Sequence, residues 1–379
     1  MTRNDRREVD MRFGVALRTV NDRGGIGVYT RYIVEELLAA DGDDHYVLFY
    51  RSSNDLGRFA HHPNVTERVV KAPNRAVWDQ VAVPWACCRE KVDLLFHPKF
   101  TVPLLARCKT AMVLHGADQF IPQFAQYYHG IDVLYHRTMM PLYCRKATTI
   151  LSVSELTTMH FNRIFGLPPG KVKTVYLSPA RHFARVEDPQ VLEAVRQKYR
   201  LPERFILTLS GHDRGRRKNI DTLLEAYRLF HGRTPHRLVV GGQNCHRFKA
   251  EYDVPDDGWG GDVLFPGWIE QSDLPAVYTL ADLYLYPSNV EAFPIPLTEA
   301  MACGTPIVTS NANGLAEIAG DAAVLVDPEN PAEIAAAIRQ VIEDPDLQRR
   351  LSARGLIRSR NFSWDVTARE TLAALHRVG

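Results

Sequence analysis

DLYLYPSNVEAFPIPLTEAMACGTPIVTS, residues 282–310, decides the architecture of the chain. DLYLYPS is a short apolar run, as suits a strand covered by helices on both faces. A loop carrying Glu291 follows, then Pro296 stands where a first helical turn tolerates proline, with Glu299 just beyond it. Gly304 and Pro306 end that helix before a second apolar run, PIVTS. Two carboxylates eight residues apart therefore bracket a loop at a strand's carboxyl end, where open parallel sheets place their sites. A carboxylate can bridge two vicinal hydroxyls, and loop amides can hold a phosphate. For Glu299 taken alone, helix capping is the rival reading.

Working outward, the same alternation recurs. MRFGVAL (11–17), HYVLFY (45–50), VDLLFH (92–97), TAMVLHG (110–116) and TTILSVS (148–154) mark the first half. RFILTLSG (204–211), RLVVGG (237–242), DVLFPGW (262–268) and AAVLVDP (322–328) join the second. Amphipathic stretches separate them, which predicts an α/β protein with open parallel sheets. The series breaks at 178–203: SPARHFARVEDP lacks periodicity, and PQVLEAVRQKYRL reads as a helix leading to the strand at Phe205. A hinge between two halves is expected there, because 379 residues exceed the ~150 of an ordinary domain.

Composition narrows the function classes. Forty-six Lys plus Arg against 44 Asp plus Glu leave +2, short of a nucleic-acid binder's basic excess. An anionic ligand must then be held locally. Apolar residues at 45% and charged residues at 24% exclude a disordered tail, a collagen and a disulfide-dense scaffold. MTRNDRREVD lacks a leader's apolar core, and no apolar run reaches the ~18–20 residues of a membrane span. Cys87, Cys88, Cys108, Cys144, Cys245 and Cys303 form no CxxC pair and no zinc spacing, and read as small buried hydrophobes of a reducing compartment. A cytoplasmic protein is expected.

Two further loops carry candidate groups. Gly24, Gly25 and Gly27 precede a helix whose apolar face includes Ile33, Leu37 and Leu38. Either a phosphate approaches the helix-start amides there, or the glycines make a tight turn. The next strand ends FYRSS, without the acidic residue of a dinucleotide fingerprint. In the second half SGHDRGRRKN (210–219) gathers Arg214, Arg216, Arg217 and Lys218 before the helix IDTLLEAYRLF. A phosphate site and a solvated charge run are the two readings, and the P-loop signature is not matched.

GGIG, SVSELTTMHFNRIFGLPPGKVKTVY (152–176), RRKN, and Glu291-x7-Glu299 with EAMACGTPIV together resemble the family 4 retaining glycosyltransferases of the GT-B fold. The resemblance implies two Rossmann-like domains with open parallel sheets facing a central cleft. They would be an acceptor-binding domain at 1–180, a nucleotide-sugar-binding domain at 181–358, and a helix at 359–379 crossing back to the first. It implies a hexosyltransferase that moves a sugar from GDP-mannose or a UDP-sugar to a glycan or lipid-linked acceptor in polysaccharide or cell-envelope biosynthesis.

Carried over residue by residue, Glu299 would grip the ribose hydroxyls, while Lys218 with Arg217 would neutralise the pyrophosphate as the glycosidic bond breaks. Glu291 and the amides of Phe293 and Ile295 would hold the transferred sugar and the β-phosphate. Gly24 and Gly25 would close over that phosphate, and His115 would assist at the reacting centre, with a satisfied core histidine as its alternative. Trp268 and Ile269 would line the base. Three departures stand out: Pro294 supplies no amide donor, His212 replaces a common arginine, and Leu177-Ser178-Pro179 replaces a common asparagine–glycine turn next to the hinge. With no covalent nucleophile evident, front-face displacement is expected, the leaving phosphate taking the acceptor's proton. No Asp-x-Asp lies near the expected crevice, so no metal or other cofactor is expected. Tyr127, Tyr128, His129 and Arg137 are expected on the acceptor side. Arg145 and Lys146 read as a solvated face or as a peripheral contact with anionic lipid at the inner face of the membrane. A nucleotide-sugar epimerase-like enzyme of the same fold and a non-catalytic nucleotide-sugar sensor are the rival functions.

Overall fold

The computed structural model describes residues 11–22, 25–40, 44–128, 130–211, 215–252, 254–255 and 261–378. The chain forms two compact units. The first comprises residues 1–176 and 364–379, the second 177–363.

In the first unit the strands are β1 (Arg12–Ala16), β2 (His45–Tyr50), β3 (Val65–Val69), β4 (Leu94–His97), β5 (Lys109–Leu114), β6 (Thr149–Ser152) and β7 (Val172–Thr174). They pair in the order β3-β2-β1-β4-β5-β6-β7, every neighbour parallel. The central strands β4 and β6 are buried throughout, as their unbroken apolar runs require. The edge strands β3 and β7, by contrast, are half exposed. Their mixed sequences VTERV and VKT therefore carry no apolar run.

Helix Gly25–Ala40 buries Ile33, Leu37 and Leu38, and it begins at Gly25, inside the expected glycine loop. A Cβ on Gly27 would lie 1.8 Å from the Asp22 carbonyl oxygen, whereas one on Gly25 would meet nothing within 4 Å. Close packing thus demands glycine at Gly27. The terminal helix Trp364–His376 packs here too: Trp364 stacks on Tyr32 at 5.1 Å, and His376 pairs with the buried Asp44 at 2.8 Å.

The second unit holds β8 (Phe205–Leu209), β9 (Arg237–Gly241), β10 (Val263–Gly267), β11 (Leu283–Tyr286), β12 (Ile307–Ser310) and β13 (Val324–Val326). Their order is β10-β9-β8-β11-β12-β13, again parallel. Counted from the unit's own first strand this is 3-2-1-4-5-6, the nucleotide-binding order, with its switch point between β8 and β11. Strand β11 has two characters. Leu283 and Leu285 join the core beneath helices Ile220–Arg228 and Pro331–Glu343, while Tyr284 and Tyr286 share the opposite face, stacked at 5.5 Å. The stretch expected to act as a hinge contains helix Pro189–Tyr199, whose Tyr199 hydroxyl donates to Asp273 at 2.7 Å within this unit. Cys87, Cys144, Cys245 and Cys303 are buried, Cys108 is half-buried and Cys88 is exposed.

Candidate active site

The switch point fixes what can gather around it. From β8 the chain passes to the short helix Gly215–Lys218, and then to Asn219 in the left-handed region at φ 59°. The Asn219 side-chain amide donates to the carbonyls of Pro287 at 3.0 Å and Pro328 at 2.6 Å, tying this loop to the carboxyl ends of β11 and β13. The Ser288 hydroxyl and the Asn289 amide both donate to the Arg217 carbonyl, at 2.9 and 3.1 Å. The two loops flanking the switch point are therefore laced together through backbone carbonyls before any side-chain charge is counted.

Glu291 lies between two cations. Its Oε2 is 2.9 Å from the Arg217 guanidinium, and its Oε1 is 2.5 Å from Lys218 Nζ. The Tyr286 hydroxyl donates to the same Oε1 at 3.0 Å, and Lys218 also bonds that hydroxyl. Burial alone would push this carboxyl up, but Arg217 and Lys218 hold it at about 2. Glu291 is therefore a permanent anion whose charge is already answered, a poor base and a poor nucleophile. Its backbone is pinned as well: the Gly314 amide donates to its carbonyl at 3.0 Å. A Cβ on Gly314 would come within 2.4 Å of the Ala292 carbonyl oxygen, so this approach needs glycine.

Glu299, in helix Ile295–Ala302, has the opposite environment. It accepts a bond from the Tyr278 hydroxyl at 3.2 Å, and burial pushes it up to about 7. The same burial, with Glu299 nearby, raises the Cys303 thiol to about 12. One carboxylate of the pair is thus locked ionised, and the other is poised to exchange a proton near neutrality.

Other expectations meet the structure unevenly. Ile295 was expected to offer its amide, but that amide already donates to the Phe293 carbonyl at 3.1 Å. Pro294, at φ −82° and ψ 85°, bends the chain into a tight three-residue turn that consumes the donor. The Phe293 ring packs edge-to-face on Phe362 at 5.7 Å. Trp268 is exposed at the end of β10, whereas Ile269 is buried over Gly241, whose Cβ would lie 2.8 Å from it. His115 and Gly25 belong to the first unit. His115 Nε2 is 2.9 Å from the Pro98 carbonyl, which only accepts, so Nε2 carries the hydrogen and Nδ1 is left as an acceptor. Burial lowers this histidine to about 4, leaving it neutral at pH 7. The Tyr128 hydroxyl donates to Asp118 at 3.1 Å, and Arg137 is exposed. Gly24, His129, His212 and Arg214 lie outside the described residues, as does the side chain of Arg216.

Tyr286, Tyr278, Ser288, Asn219 and Gly314 were not singled out from the sequence. The tyrosines of DLYLYP carry a usable signal, since a buried phenol needs a polar partner. The spacing Asp344-Pro345-Asp346 does match a metal-binding pair, yet Asp344 spends one oxygen capping helix Pro345–Ser359 through the amides of Asp346 and Leu347, each at 2.9 Å. The similar Asp41-Gly42-Asp43 lies outside the described residues.

Comparison with known proteins decides the class. Residues 192–357 match the family described as Glycosyl transferases group 1, and residues 23–178 match Glycosyltransferase Family 4. The O-antigen chain mannosyltransferase B of Escherichia coli is 31% identical over 301 residues, 76% of each chain. This chain belongs to the group 1 glycosyltransferases. The serotype-specific mannosyltransferase WbdA of Escherichia coli is 26% identical over 243 residues. That match takes 62% of this glycosyltransferase but spans only 29% of WbdA. Among solved structures, sucrose-phosphate synthase from Thermosynechococcus elongatus superposes with a TM-score of 0.76 at 20% identity, over 97% of this chain and 99% of that one. Anabaena HepE, in complex with UDP and glucose, gives 0.73 at 17% identity over 97% and 100%. These likenesses establish the GT-B fold. Among the described residues no helix is long and apolar enough to cross a membrane.

Proposed function

We propose that this glycosyltransferase moves a sugar from a nucleoside-diphosphate donor to a glycan or lipid-linked acceptor in polysaccharide assembly, with retention of anomeric configuration. GDP-mannose is the donor favoured, because the Escherichia coli relative of matching length is a mannosyltransferase. One observation carries the reading: Arg217 and Lys218 stand together at the sheet's switch point, each on one oxygen of Glu291. On this reading the pyrophosphate takes up their positive charge as the glycosidic bond breaks, and cation-stabilised departure replaces a strong base. Glu291 supports the transferred sugar, Glu299 accepts from the ribose hydroxyls, and Trp268 offers its exposed ring to the base. With Lys218 and Arg217 supplying the charge, turnover proceeds without a divalent cation.

Three measurements test this. A thermal-shift screen of GDP, UDP, ADP and their sugars identifies the donor, since ligand at 100 times its dissociation constant adds about 2.7 kcal/mol. Transfer from GDP-mannose to a lipid-linked or oligosaccharide acceptor, followed by NMR of the product anomer, tests donor and stereochemistry; an inverted product rejects retention. Activity that vanishes in chelator and returns with Mn²⁺ rejects the metal-independent chemistry.

A further inference from the structure

A second cluster of ligating side chains lies in the first unit, on groups the transfer chemistry does not use. Glu35 projects from helix Gly25–Ala40, and His61 and His62 come from the segment between β2 and β3. Glu35 Oε1 is 3.3 Å from His61 Nε2 and 3.6 Å from His62 Nε2. The two imidazoles sit 4.1 Å apart between centroids, and the three ligating atoms lie within 4.8 Å of one another.

Of these two contacts with Glu35, only that of His61 is a hydrogen bond. At 3.6 Å the His62 contact is not a hydrogen bond, and 3.3 Å is long for one. His62 Nε2 is nevertheless buried, without a hydrogen-bond partner among the described residues. A buried imidazole nitrogen left so is costly. The two Glu35–imidazole distances do suit a shared cation. Donors held ~2.0–2.1 Å from zinc at the tetrahedral angle lie about 3.3–3.4 Å from each other.

The segment is also held in place independently of the cluster. Phe59 is buried, the His62 amide donates to its carbonyl at 3.2 Å, and the Gly57 amide donates to Glu67 at 2.7 Å. Two imidazoles and one carboxylate favour a borderline divalent ion such as Zn²⁺ over Mg²⁺ or Ca²⁺, which take oxygen sets.

We propose that Glu35, His61 and His62 form a Zn²⁺-type site with water in the fourth position, clipping the glycine-entered helix Gly25–Ala40 to the segment before β3. The test is titration of the chelator-treated full-length protein with Zn²⁺ against a chromophoric competitor, and with Co²⁺, whose tetrahedral complexes absorb visibly. One ion per chain should bind, with a Co²⁺ band and a Zn²⁺-dependent rise in Tm. His61→Ala, His62→Ala and Glu35→Gln should each weaken Zn²⁺ binding by ~10-fold or more, and the double histidine variant should lose the Co²⁺ band and the Tm rise. Unaltered affinity and spectrum in the double variant overturn the proposal, as does the lack of a Co²⁺ band in the parent. Melting in chelator separates misfolding from lost ligation. Should His62→Ala melt early, His61→Ala decides alone, because that side chain is 59% exposed.

Discussion

Glu291 stays ionised because two cations stand against it, whereas Glu299 is buried beside a phenol, and the difference reaches both stability and kinetics. Native Glu299 keeps its proton up to about pH 7, while the unfolded carboxyl loses it near 4.5. Between those values the native state binds more protons, so stability falls as pH rises, by roughly 3 kcal/mol across the window. Glu299→Gln should flatten that slope in denaturation measured at pH 5 and pH 7.5; an unchanged slope would place the dependence elsewhere. Glu291 works in reverse: its contribution is present above 4.5 and is lost as pH falls toward about 2. In the proposed reaction the two also divide their labour. Ribose does not change between ground and transition state, so Glu299→Gln should raise the donor KM more than tenfold with kcat little altered. Glu291→Gln should lower kcat by ~10²-fold and spare the affinity for bare nucleoside diphosphate. The reverse split, read by steady-state kinetics and nucleotide titration, would exchange the two roles.

At the scale of elements, Gly314 links the helix Asn313–Ala319 to the loop that holds Glu291. Gly314→Ala would drive a methyl against the Ala292 carbonyl and shift that loop, at a cost of about 1–3 kcal/mol. Donor turnover should fall together with Tm while far-ultraviolet circular dichroism stays unchanged; full activity in this variant would mean the loop's position is not critical. How far such elements can be read from sequence depends on burial. Each of the eleven apolar runs contains a strand, because strands sandwiched between helices cannot tolerate polar faces. Val65–Val69 and Val172–Thr174 are not legible because VTERV and VKT interleave charged residues, whereas the edge strands β10 and β13 keep apolar runs. The Glu291 carboxylate and the Arg217 and Lys218 cations, which the structure brings together, are residues that type and spacing single out. The Ile295 amide was misjudged because its loss depends on the ψ that Pro294 adopts, which the residue's identity does not fix. Tyr286 was hidden by the alternation in LYLY, which reads as apolar until one face is seen to be aliphatic and the other phenolic.

On the scale of the whole molecule, the first unit is discontinuous in sequence, because its last helix is made by residues that follow the entire second unit. Trp364 carries much of that attachment: it is 2% exposed, stacks on Tyr32, and lies 6.1 Å from the Tyr29 ring between centroids. Farther along, the Thr367 hydroxyl donates to the Tyr176 carbonyl at 2.8 Å, and Leu375 is buried. Trp364→Ala should therefore cost about 3–5 kcal/mol, the usual penalty for emptying a large aromatic site. That loss belongs to the first unit, since the contacts named all lie within it. Hydrogen–deuterium exchange read by mass spectrometry separates the units: protection should fall across β1, β2, β4 and β5 and persist in β8, β11 and β12. Binding of bare nucleoside diphosphate, assigned above to second-unit residues, should survive in the same variant. Were protection lost equally in both sheets, the two units would unfold as one. Were nucleotide affinity to collapse while the second sheet stayed protected, the assignment of the nucleotide to second-unit residues would fail.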